Sequence, residues 1–169
     1  EILPTDMLMN EFKKEGKIAT TGNYDSRLYS NVFFKDPYYN DPTNPRIFGE
    51  TYDDKFGTID KPSFRKYLPP TQEQMDTEFL GMNVPLMRYS NVLLMKAEAL
   101  NELKRSGEAI PFINLVRDRA DMPGMIGTSY EAVKAQIEHE RIIEFPLENF
   151  RFYDLRRWGK TKAALDAVG

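Results

Sequence analysis

The chain is expected to be mainly α-helical, with helical hairpins of tetratricopeptide-like type following a long aromatic-rich loop region. Two features predict this. Eight of the eleven prolines lie at or before Pro85. Beyond it, apolar residues recur at helical spacing between start and stop signals. The expected organisation is one continuous domain: a loop-rich aromatic segment over 1–85 with a short N-terminal helix, then a helical segment over 86–169.

In chain order, Thr5-Asp6 suits the cap of a helix from Met7 to Glu15, with Leu8 and Phe12 on its buried face. Gly16 and Gly22 close that segment. From Tyr24 to Tyr67 aromatic residues crowd together, punctuated by Pro37, Pro42, Pro45 and Pro62. Alternation there is short, so long loops with one hairpin fit better than a sheet. After Pro85, the run Val92-Leu-Leu-Met95 with Ala97, Ala99 and Leu100 is apolar around most of a helix, which places that helix centrally. Lys104-Arg105 suits its C-terminal end, and Ser106-Gly107 the turn. A second helix carries Ala109, Phe112, Ile113, Val116 and Ala120 on one stripe, with Pro111 in its first turn, and Asp121-Met-Pro-Gly124 ends it. Thr128-Ser-Tyr-Glu131 reads as a capping box opening a third helix through Val133 and Ile137. Pro146 stops that helix, Asn149 suits a left-handed restart, and a short fourth helix follows through Leu155 and Trp158. No 34-residue repeat is present, so a single hairpin does not establish an array.

Composition excludes several function classes. The net charge is −3, from 23 basic and 26 acidic side chains, without the basic excess a nucleic-acid surface needs. With no cysteine, disulfides, thiolate metal sites and cysteine nucleophiles are excluded. His139 is the single histidine, and the position four residues on is Ile143, so the paired histidines of a metalloprotease helix are missing. Neither a Gly-x-Ser-x-Gly turn nor a phosphate-cradling glycine loop occurs. No catalytic residue, metal ligand or cofactor site is predicted.

The stretch from Ile137 to Gly159 concentrates the charge. It holds Glu138, Glu140, Arg141, Glu144, Glu148, Arg151, Asp154, Arg156 and Arg157 without one lysine, interleaved with aromatics and ending in Trp158-Gly159. Arginine alone beside dense aromatics points to planar carboxylate contacts withdrawn from water. Spacings of three residues pair Glu144 with Arg141, Glu148 with Arg151 and Asp154 with Arg157. A neighbouring cation lowers a carboxylate's pKa, which is wrong for a general acid, so the set reads as a structural network. Trp158 either stacks on a sugar or packs in the core, and its helical spacing with Leu155 favours the core.

The motifs PLMRYSNVLLMKAEALNE, INLVRDRA, HERIIEF and RFYDLRRWG, in this order, resemble the C-terminal part of the SusD/RagB family. The resemblance runs from about Val84 to Gly159, with a weaker echo in Asp25-Ser-Arg27 and Arg65-Lys-Tyr67. Pro146 and Asn149 stand where family members often carry a small residue and a glycine. The resemblance implies a non-catalytic lipoprotein, lipid-anchored in the outer membrane at the cell surface. Such a protein holds oligosaccharide or polysaccharide above a SusC-like TonB-dependent transporter. It further implies a longer protein, since Glu1 opens directly into folded-looking sequence without the family's lipid-attachment cysteine. The RagB branch implies peptide capture instead, and an intracellular tetratricopeptide-like adaptor remains the reading from another class.

For ligand contact, the loop around Tyr38, Tyr39, Asn40, Asn44 and Arg46 offers flat rings beside amide and guanidinium donors, the combination that carbohydrate hydroxyls require. The alternative is that these tyrosines seal hydrophobic seams, with their polar tips in water.

Overall fold

A computed structural model describes residues 3–57, 59–77, 83 and 85–167. Glu1, Ile2 and Val84, where the sequence places the chain's opening and the start of the family-like region, lie outside the described residues. The fold is mainly α and divides into two compact units, 1–85 and 86–169.

In the first unit, α1 (Asp6–Lys13) is capped by the Thr5 hydroxyl, which accepts from the Leu8 amide at 3.3 Å. It buries Met9 and Phe12, while Leu8 is half-buried. Three further short helices lie where loops were expected: α2 (Ser26–Asn31), α3 (Tyr52–Phe56) and α4 (Gln72–Met75). Each is too short to show a 3.6-residue period, but each has a side-chain cap, from Asp25, Thr51 and Thr71. Asp25 does two jobs. It accepts from the Arg27 amide at 2.8 Å and grips the Arg27 guanidinium at 2.7–3.2 Å, both side chains buried.

Strands β1 (Val32–Phe33) and β2 (Ser63–Phe64) pair antiparallel, Val32 opposite Phe64. A second, tighter hairpin closes at Ile47 and Glu50, whose amides and carbonyls exchange bonds at 3.0 and 3.1 Å. Phe48 and Gly49 between them both have positive φ, 55° and 86°, as a type I′ turn requires. Leu28, Val32, Phe33, Tyr39, Ile47 and Tyr52 form the interior of this unit.

In the second unit, α5 (Tyr89–Glu102), α6 (Ser106–Asp118) and α7 (Tyr130–Glu144) pack together, followed by α8 (Phe150–Arg157) and α9 (Thr161–Asp166). Leu94, Ala97, Ala109, Ile113, Val133 and Ile137 meet in the core. Alanines at 97 and 109 let the backbones of α5 and α6 approach. The turn between these helices sits earlier than expected. Lys104 takes the left-handed conformation (φ 62°), its amide bonds Asn101 O and the Arg105 amide bonds Leu100 O, both at 2.9 Å. This is a Schellman ending, and it frees Ser106-Gly107 to form the first turn of α6. Pro111 therefore falls in the second turn. The same ending closes α6 at Asp121 (φ 57°) and α8 at Gly159 (φ 67°). The α7 cap is Ser129, which accepts from the Ala132 amide at 3.1 Å. With Ala132 in the third helical position, no reciprocal box with Glu131 forms. Helix α7 ends before Pro146, and Asn149 restarts the chain at φ 62°. Among the described residues, no helix is long and apolar enough to cross a membrane.

Candidate functional site

The arginine–carboxylate set ties together segments far apart in sequence. Arg141 Nε donates to Asp154 Oδ2 at 2.7 Å and its Nη1 to Asn91 Oδ1 at 2.9 Å, so one guanidinium joins α7, α8 and α5. Arg117 of α6 meets Glu140 of α7 at 2.6 Å, and both are buried. Arg88 holds Glu148 through two nitrogens at 2.8 and 3.0 Å and Glu144 through a third at 2.9 Å. Its Nη2 also donates to the Glu144 carbonyl at 2.9 Å, satisfying the open end of α7. Glu144 accepts from Arg119 as well, at 2.5 Å. Glu144, expected beside Arg141, thus meets Arg88 and Arg119 from other segments of the chain, and Glu148 also accepts from Arg88.

Asp154 with Arg157 does form, at 2.9 Å. Arg157 extends the chain of charges to Glu98, which also accepts from Trp158 Nε1 at 2.8 Å. Burial acts to raise the Glu98 pKa, but the hydrogen bonds from Arg157 and Trp158 hold the carboxyl below its ordinary value. Trp158 is half-buried beneath the Arg157 guanidinium, 4.7 Å from its ring. Arg156 is exposed over Phe152, and Arg151 is half-buried. His139 is buried on α7. Arg88, Glu98, Asn91 and Arg117 were missed as network members because they lie 23 to 60 residues from their partners.

These charges floor a groove of about 570 Å³ bordered by Met87, Met95, Phe150 and Tyr153. Its polar groups are largely spent on one another, so it presents apolar surface and few open donors.

The aromatic loop is different. Tyr39 is fully buried, with its hydroxyl against the Tyr29 and Val32 carbonyls at 2.5 and 3.0 Å. The expectation that it meets a ligand is therefore corrected: a ring with no exposed face is a core residue. Tyr38 is half-buried, its ring 4.3 Å from both the Tyr29 ring and the Arg46 guanidinium. Asn40 Oδ1 accepts from the Asp53 amide at 3.0 Å, holding the first turn of α3. Asn44 is exposed, and its carbonyl accepts from Arg46 at 3.3 Å. Arg46 Nη1 is anchored on the Tyr38 carbonyl at 2.7 Å.

Arg46 borders a pocket of about 180 Å³ with Phe33, Phe48, Arg65, Pro69 and Pro70. The type I′ turn delivers Phe48 to its wall, and the end of β2 delivers Arg65, whose amide bonds Asn31 O at 2.7 Å. A turn follows at once, with Leu68 N on Arg65 O at 2.9 Å and Tyr67 at φ 67°. Apolar faces and guanidinium donors thus converge on one small concavity. Phe48 stands close to Arg46 in sequence, whereas Arg65 lies far along the chain and reaches the pocket through the pairing of β1 with β2.

Comparison with known proteins places these features in a family. The model of the SusD family matches residues 4–167. Two SusD-like proteins of Formosa agariphila, P38 and P2, are similar, at 36% identity over 96 residues and 40% over 80. Those matches cover 52% and 42% of this chain but 18% and 16% of the relatives. A crystal structure of a SusD superfamily protein from Bacteroides vulgatus superposes on the whole chain with TM-score 0.82 and 28% identity, using 36% of its own length. A SusD-like protein from Bacteroides fragilis shares the fold over 93% of the chain, with TM-score 0.62 and 22% identity, again over 36% of its length. The chain thus spans about a third of these solved structures.

Proposed function

Since the chain belongs to the SusD family, we propose that the protein captures glycans at the cell surface without cleaving them, as a lipid-anchored outer-membrane component that passes its cargo to a SusC-like TonB-dependent transporter. The observation that carries the binding part is the pocket where Phe33 and Phe48 stand beside the Arg46 and Arg65 guanidinium groups. Aromatic faces match the apolar face of a pyranose, and fixed donors grip its hydroxyls. The scaffold is stiff on both sides, through the type I′ turn under Phe48 and the β2 pairing beside Arg65, so little ordering is needed on binding. Binding without cleavage is supported by the state of the acids. Glu140, Glu144, Glu148 and Asp154 each face at least one guanidinium, so their oxygens are engaged within the helical scaffold.

The test is calorimetric titration of the full-length protein with an oligosaccharide panel, together with chromatography of the recovered sugar. Phe48→Ala or Arg46→Ala should weaken binding about tenfold, roughly 1.4 kcal/mol, with little change in melting temperature. The sugar should be recovered intact. Unchanged affinity in both variants would move the ligand elsewhere, and stabilisation by peptide mixtures alone would favour peptide capture.

A further inference from the structure

The three buried arginines are matched to acids, Arg27 to Asp25, Arg117 to Glu140 and Arg141 to Asp154, and the half-buried Arg88 is matched to Glu144 and Glu148. Arg65 breaks that pattern. It is half-buried, and among the described residues no carboxylate pairs with it. Its Nη1 donates to the Tyr29 carbonyl at 2.9 Å, and its guanidinium lies 5.6 Å from the centre of the Phe33 ring. The nearby Tyr39 phenol offers no countercharge, because burial pushes its pKa up and leaves it neutral. Across the pocket, the one carboxylate paired with Arg46 among the described residues is Asp41, at 3.7 Å. The other oxygen of Asp41 is taken by the Thr43 amide and hydroxyl at 2.9 and 2.6 Å.

Two guanidinium groups therefore border one concavity, and among the described residues the one carboxylate paired with either of them is Asp41. A partly desolvated cation without a counterion is costly, and an incoming anion relieves that cost. The planar fork of arginine suits the paired oxygens of a carboxylate or sulfate better than an isolated hydroxyl. Size narrows the cargo further. At about 180 Å³ the pocket is small, which suits one sugar unit and its substituent rather than a run of chain. Phe48 and Pro69-Pro70 supply apolar walls on which that unit can lie. Tyr67, two residues after Arg65, lies in the left-handed region, a costly backbone conformation of a kind common where a side chain must be aimed.

We propose that the Arg46–Arg65 pocket selects an anionic substituent of a glycan, a ring carboxylate or a sulfate ester. This rests on the glycan-capture reading and specifies its substrate class. The experiment compares two matched probe pairs on the full-length protein by calorimetry: oligogalacturonate against its methyl ester, and dextran sulfate against dextran. The charged member of at least one pair should bind about tenfold tighter or better, and the pair that responds identifies carboxylate or sulfate. Arg65→Gln and Arg46→Gln should each reduce that preference, and Arg65→Lys should restore part of it, in variants whose melting temperature shows them folded. Arg46→Gln keeps the test decisive if Arg65→Gln fails to fold, since Arg65 also supports the Tyr29 carbonyl. Equal affinity within both pairs, or a preference that survives both glutamine variants, overturns the inference. Equal but measurable binding leaves glycan capture intact, whereas failure to bind these probes and any wider neutral panel removes both.

Discussion

At Asp154 two guanidinium groups converge, Arg141 through Nε at 2.7 Å and Arg157 through Nε at 2.9 Å. The Arg141 and Asp154 side chains are only 4% and 5% exposed, while that of Arg157 is 41% exposed. Removing the acid leaves Arg141 charged and buried with only Asn91 to hold it, whereas Arg157 can still turn to Glu98 and to water. Asp154→Ala should therefore destabilise the protein by about 2–5 kcal/mol, read from urea unfolding midpoints. The apolar double variant Arg141→Met with Asp154→Leu should lose clearly less, because it removes both charges together. Equal losses would mean that the pair itself, rather than the stranded charge, sets the cost. The spacing of three residues correctly joined Asp154 to Arg157 but hid Arg141, the more buried partner, which lies 13 residues away. Local spacing records only what one helix can do for itself.

The helices differ in how plainly their ends are written. Pro146 and Asn149 mark the α7–α8 break in sequence and in structure, because one lacks a donor and the other tolerates positive φ. The α5–α6 turn is less legible, since Lys104 occupies a left-handed position usually given to glycine. Its ammonium lies 3.4 Å from the centre of the Tyr130 ring, a cation–π contact that offsets part of the backbone cost. At the start of α7, two adjacent hydroxyl residues compete for the cap, and only Ser129 holds it. Ser129→Ala should cost about 1 kcal/mol, and Thr128→Ala less than about 0.5 kcal/mol, by chemical denaturation. The reverse order would shift the helix start by one residue. In the first unit, α2, α3 and α4 escaped periodicity altogether. Their caps were present in the sequence at Asp25, Thr51 and Thr71, and these were the signal to follow.

For the chain as a whole, Glu98 makes stability depend on pH. Glu98 is held below its ordinary value once folded, so the unfolded chain takes up the proton first as pH falls. Its contribution is fully present above the ordinary glutamate value of about 4.5 and is lost as pH drops through the folded-state value. Glu98→Gln should lower stability at pH 7 by about 1–3 kcal/mol, the worth of hydrogen bonds to a charged group. Between pH 7 and pH 3 the gap between wild type and variant should narrow. A constant gap across that range would show that Glu98 contributes through packing alone. Function is spread differently from stability. The dense charges of the second unit are spent on one another, while the pocket of the first unit keeps guanidinium donors with little acid to quench them.

The amino-acid sequence by itself determined the mainly α class, the helical stretch after Pro85, the α7–α8 break and the family, because periodicity, stop residues and ordered motifs are local properties that survive without coordinates. Only the tertiary structure decided which arginine meets which acid, that Tyr39 belongs to the core, and that Phe33, Arg46, Phe48 and Arg65 share one pocket. Those facts depend on strand pairing and helix packing between residues far apart along the chain, where spacing holds no information.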